Sequence, residues 1–147
     1  MAREDLDNLL SACIPFAQQM LAKHGTFFPF GCTLSPVGEI SLVGCYDESG
    51  VAAEEIPALT MHAESADWII EGFRDGARAG DYKAVALCVD VQVDVPDGSG
   101  KTDAIRVSLE ENDGEAVNVF LPYRRRLLRG IKYGELFASA ADHVVFV

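Results

Sequence analysis

Six apolar residues in strict alternation, Val85, Leu87, Val89, Val91, Val93 and Val95, run through the middle of the chain. A period of two is the signature of a β-strand. Pro96-Asp97-Gly98-Ser99-Gly100 interrupts the run, and alternation resumes from Asp103 to Glu110, with Ile105, Val107 and Leu109 facing inward and Arg106, Ser108 and Glu110 outward. Asn112-Asp113-Gly114 has the chemistry of a hairpin turn. Glu115 to Leu121 then supplies a third strand with Val117, Val119 and Leu121 on the core side. Strands joined by such short turns lie antiparallel, because a parallel neighbour needs a long crossover. A doubly wound parallel sheet is therefore disfavoured.

The N-terminal half supplies the helices. Over residues 4–24, Leu6, Leu9, Leu10, Cys13, Ile14, Ala17, Met20 and Leu21 recur at steps of three and four, the stripe of an amphipathic helix. Gly25 is placed to end it, and Pro15 inside it predicts a kink or a late start. The period then falls to two at Phe28, Phe30, Cys32 and Leu34. Ser35-Pro36-Val37-Gly38 forms a turn, and Glu39–Tyr46 returns as a second strand. After a connection over Asp47–Pro57, Thr60 can cap a helix over 61–79, with Ala66, Ile69, Ile70, Phe73 and Ala77 inward and Gly80 as its stop. Gly72 and Gly76 suit a helix that sits close against a sheet. Tyr133–Ser139 reads as a short helix and His143–Val147 as a short strand.

The expected fold is α+β: a single domain over residues 1–147, with an antiparallel sheet of about five strands and helices packed on it. The element order is α-β-β-α-β-β-β-(α), and it resembles that of the profilin-like and roadblock domains, which are mainly scaffolds and sensors. That likeness of order does not dictate function.

Composition narrows the function classes. The chain has 147 residues, 49% of them hydrophobic and 24% charged, as in a globular domain. No apolar run is long enough to cross a bilayer, and the acidic start Arg3-Glu4-Asp5 lacks the pattern of a signal peptide. A cytoplasmic location is expected. Cys13, Cys32, Cys45 and Cys88 stand apart among apolar neighbours with no C-x-x-C pair, so they read as reduced core residues. A net charge of −11 disfavours general nucleic-acid binding.

Three segments carry a further resemblance: His24-Gly25-Thr26-Phe27-Phe28-Pro29-Phe30-Gly31, the stretch from Lys101-Thr102-Asp103 to Ser108-Leu109-Glu110, and Val119-Phe120-Leu121-Pro122-Tyr123. Their order and spacing over residues 20–140 are similar to those of a group of small bacterial proteins with no assigned activity. The resemblance implies a bacterial, cytosolic, single-domain protein and carries over no catalytic residue.

Motifs for chemistry are missing from the sequence. His24, His62 and His143 are scattered and form no H-E-x-x-H, and no G-x-S-x-G elbow is present. His62 with Glu64, Glu54 and Glu55 is an incomplete metal-ligand set. A Cys32–His24 pair lacks the exposed, electropositive setting of a reactive thiol. Gly98-Ser99-Gly100-Lys101-Thr102 resembles the end of a phosphate loop, but Val95 stands where its first glycine belongs. No catalytic residue, cofactor or metal is expected.

Two surfaces remain. Arg124, Arg125, Arg126, Arg129 and Lys132 place five of the twelve basic residues within nine positions of a strongly acidic chain. They read either as bridges to the acidic surface or as an anion or partner site, with Tyr123 as an anchor. The outward sheet face carries Gln92, Arg106, Ser108, Glu110, Asn118 and Phe120, with Arg106 expected opposite Asn118 or Glu110. These features predict a non-enzymatic protein-interaction or binding module, with a homodimer as one form of the interaction. The alternatives are an immunity-type inhibitor of a basic toxin, and a small-molecule binder or enzyme with a pocket near Phe28 and Phe30.

Overall fold

The computed structural model describes residues 2–25, 27, 29–43, 58–96, 98, 100–126 and 130–147. Among the described residues two helices, α1 (Ala2–His24) and α2 (Ala58–Arg78), flank an antiparallel sheet of seven strands, where about five were expected. These are β1 (Phe30–Leu34), β2 (Ile40–Val43), β3 (Ala84–Asp94), β4 (Lys101–Glu111), β5 (Ala116–Arg126), β6 (Gly130–Tyr133) and β7 (Phe137–Ala140). The strand order is β2-β1-β3-β4-β5-β6, with β7 paired to β5 as well. The α+β class and the antiparallel meander agree with the sequence. Among the described residues no helix is long and apolar enough to cross a membrane.

Tight turns fix the meander. Gly98 and Gly100 take positive φ between β3 and β4, where Val95 N–H donates to Gly100 O at 2.8 Å. Between β4 and β5, Asp113 itself takes a φ of 60°, a left-handed conformation that Asp tolerates better than most residues. The registers Val89↔Arg106 and Val107↔Val119 follow from these turns.

The register also separates the two faces of the sheet, and here the structure departs from a one-sided reading. Leu6, Leu9, Cys13, Ala17 and Leu21 of α1 pack on one face against Cys32, Ala84, Ala86, Ile105, Val107 and Leu109. Ile69 and Phe73 of α2 pack on the other, against Val85 and Leu87. The valine run of β3 thus shares its face with Arg106, Ser108 and Glu110, not with Ile105 and Val107. Gln92, expected beside Arg106, lies on the α1 face and approaches Asp103 Oδ1 at 3.4 Å. Small residues on the α1 side of β3 let both faces be buried.

Local details show why. Gly31 gives α2 its close approach: a Cβ there would collide with the tip of the Phe73 ring and lie 3.0 Å from Ala86 O. Gly76 likewise leaves room for the Tyr82 ring, whereas Gly72 faces open space. Helix α1 runs through Pro15 and ends where Gly25 N–H, at φ 76°, donates to Leu21 O at 2.8 Å. Cys13, Cys32 and Cys88 are buried and free, and the Cys13 and Cys32 sulfurs are 2.7 Å apart between α1 and β1. Burial pushes the Cys88 thiol well above its usual range, and the Cys32 contact and burial do the same for Cys13.

Several boundaries are corrected. Helix α2 begins at Ala58, two residues before Thr60. The expected helix over 133–139 is instead the end of β6 and most of β7, each paired along the outer edge of β5. An unpaired strand edge satisfies its backbone groups by recruiting such short segments. The expected strand at 143–147 is a non-strand tail that reaches Glu110 and α2. Gly44–Tyr46, the connection over 47–57, Cys45 and Phe28 lie outside the described residues, as do the side chains of Thr60, His62 and Glu64.

Candidate binding site

Among the described residues, two clefts open on the face of the sheet opposite α1. Along β5 the residues of this face are Asn118, Phe120, Pro122 and Arg124, and the two clefts open on either side of Phe120. Phe120 stacks on Phe137 of β7 with centroids 5.0 Å apart and an interplanar angle of 18°. The pair forms a ridge, with Asn118 lining the cleft on one side and Pro122 and Arg124 the cleft on the other.

The cleft beyond Pro122, of about 680 Å³, is basic: Arg124, Arg125, Arg126 and Lys132 line it together with Thr102, Tyr133 and Glu135. The β5–β6 register sets Arg124 directly opposite Lys132. Like charges directly opposite on neighbouring strands destabilise a sheet. Both residues are exposed, as is Arg126, and among the described residues none of the three makes an ion pair. Alternation sends Arg125 to the α1 face instead. There it donates to Gly25 O, lies 3.9 Å from Asp103 Oδ2 and sits 5.6 Å from the centroid of the Tyr123 ring. The basic run is therefore divided: Arg125 lines the cleft but is engaged by backbone and acid, while Arg124 and Arg126 line it with no ion pair among the described residues. Arg129 lies outside the described residues.

The second cleft, of about 450 Å³, lies between α2, the sheet and the C-terminal tail. Phe73, Leu87 and Val145 supply apolar walls, and Arg106, Ser108 and Asn118 supply polar groups. Ser108 Oγ donates to Asn118 Oδ1 at 2.7 Å. Arg106 of β4 stands directly opposite Phe120 of β5, not opposite Asn118 or Glu110 as the sequence suggested. Its Nε is buried without a hydrogen-bond partner. Burial pulls this guanidinium below its usual value, the nearby Cys88 opposing the shift weakly.

Two residues expected at an interface are structural. Glu110 is 6% exposed, and its carboxylate accepts the N–H groups of Val144 at 2.9 Å, Val145 at 3.0 Å and Phe146 at 3.3 Å. Arg74 Nε of α2 donates to Val144 O at 2.8 Å, so the tail is strapped between sheet and helix. Tyr123 is 2% exposed on the α1 face, and its hydroxyl donates to Asp90 Oδ1 at 2.6 Å. An anchor for a partner must be reachable, and this ring is not. Phe30, expected beside a pocket, is buried between Phe16 and Phe27, at centroid distances of 4.8 and 5.8 Å.

Among the described residues no group of three or more His, Cys, Asp or Glu is placed to hold a metal ion. No protein-family model matches the chain, and no curated protein or solved structure matches it either.

Proposed function

We propose that this protein is a non-enzymatic binding module, and that the basic cleft at the β5–β6 hairpin holds a compact polyanion. One observation carries the reading: Arg124 and Lys132 are opposed across paired strands and lack carboxylate partners among the described residues. An opposed pair of cations costs stability in the free protein. A multiply charged anion between them reverses the sign of that interaction. Arg126 adds a third cation, and an arginine fork presents paired N–H donors to an oxyanion.

The overall charge of −11 sharpens the selectivity of such a site. Long polyanions meet repulsion over the rest of the surface, whereas a small anion needs only the local field. Calorimetric titration with inorganic pyrophosphate at low and raised salt tests the proposal. Binding that weakens with salt and disappears in Arg124→Ala/Lys132→Ala is expected. Equal heats for the wild type and this double variant would sink it.

A further inference from the structure

The second cleft has a different chemistry, and we infer that it binds a monocarboxylate with an apolar body, the carboxylate on Arg106 and the body against Phe73, Leu87 and Val145. One wall of the cleft is an apolar surface from α2, β3 and the tail. The other wall carries one cation, and that cation is poorly satisfied: Arg106 Nε is buried without a hydrogen-bond partner. A desolvated guanidinium with no counter-charge is costly, so a bound anion gains more here than at the surface.

The neighbouring acid does not fill that role. Glu110 lies on the same face of the same strand, but its oxygens are occupied by the Val144, Val145 and Phe146 N–H groups. Four residues of strand also separate it from Arg106, about 13 Å at the usual rise. Asp142 lines the cleft from its exposed rim and faces solvent. A single cation selects a singly charged anion, and the flat fork of arginine matches a carboxylate with two parallel hydrogen bonds. Ser108 and Asn118, already paired with each other at 2.7 Å, give a polar flank beside it. A cavity of about 450 Å³ lies in the range of small-ligand pockets, and walls that are mainly apolar with a few fixed polar groups are typical of them.

The inference is independent of the basic cleft, which lies beyond the Phe120–Phe137 ridge. Octanoate, octanol and acetate are the probes: body with carboxylate, body alone and carboxylate alone. Calorimetry paired with amide chemical-shift mapping should show octanoate binding most tightly, with shifts at Ser108, Asn118 and Val145. Arg106→Gln should weaken octanoate about 10- to 100-fold, the range for losing a hydrogen-bonded charge partner, and leave octanol unchanged. Ala141→Leu enlarges a half-buried lining residue beside the tail without touching Arg106 and should weaken octanoate and octanol together, so the site remains testable even if the Arg106 variant fails to fold. Arg124→Ala/Lys132→Ala should bind octanoate as the wild type does. Octanoate binding no tighter than octanol, or unchanged affinity in both Arg106→Gln and Ala141→Leu, overturns the inference.

Discussion

Tyr123 reaches from β5 across the whole width of β4 to place its hydroxyl 2.6 Å from the Asp90 carboxylate on β3. The bond ties together two strands that are not neighbours. Tyr123→Phe keeps the ring and removes the bond, and it should cost about 1.5–3 kcal/mol, as for a hydrogen bond to a charged acceptor. Denaturant melts at neutral pH would measure this. Burial first, and the Asp90 contact second, push the phenol above its usual range. In the unfolded chain a tyrosine ionises near pH 10, roughly. The stability from Tyr123 is thus fully present below that pH and is lost as pH rises toward the higher folded value. Wild-type melting temperature should fall more steeply above pH 10, roughly, than that of Tyr123→Phe.

The Glu110 strap gives a second expectation. Glu110→Ala leaves three N–H groups of the tail without their acceptor. The loss should be about 2–4 kcal/mol, on the scale of hydrogen bonds to a charged group. Hydrogen exchange would show it locally, with protection at Val144, Val145 and Phe146 falling first. Unchanged exchange there in Glu110→Ala would refute the strap.

Gly31 and Phe73 form a steric pair. Gly31→Ala puts a methyl group where the Phe73 ring now lies, and overpacking of this kind should cost about 1–3 kcal/mol. The same substitution in a Phe73→Leu background should cost less, because the obstructing ring edge is gone. A double-mutant cycle reads the difference as coupling. Additive effects would mean that the contact does not limit the site.

The opposed cations predict a trade between stability and binding. Lys132→Gln removes the like-charge pair and should stabilise the fold by about 0.2–0.5 kcal/mol at low salt, with the gain shrinking as salt screens the charges. The same variant should lose affinity for pyrophosphate. A neutral effect on stability at low salt would show that Arg124 and Lys132 avoid one another in solution.

Sequence periodicity carried the meander, the β1–β2 hairpin and both helices, because in each a long apolar repeat matches one element. It did not show that β3 is buried on both sides. Ala84, Ala86 and Cys88 are small and add little to an apolar count, yet they form the α1 face. Strands β6 and β7 were illegible for another reason: each is four residues long, and Phe137-Ala138-Ser139-Ala140 has no strand preference of its own. Pairing with the edge of β5 decides their state. At the site, Arg106 and Asn118 stand on the face their alternation gives. The opposition of Arg124 to Lys132 exists only once the hairpin register is known. Tyr123 continues the series Val117, Val119, Leu121, so its inward direction was present in the period, masked by the three arginines that follow it.

The pairing of β1 with β3 also has a kinetic side. Asp94 meets Lys101 and Glu110 meets Ala116 across short turns, whereas Leu34 meets Ala84 only after the entire β2–α2 region has been brought around. Closing a long loop costs entropy before any contact repays it. The central meander is thus the natural nucleus, and β1 with α1 joins a template already made. In chevron analysis, Val107→Ala should slow refolding, while Cys32→Ala should chiefly speed unfolding. The valine-rich middle of the chain thereby sets how fast the protein forms, and its N-terminal third sets how long it lasts.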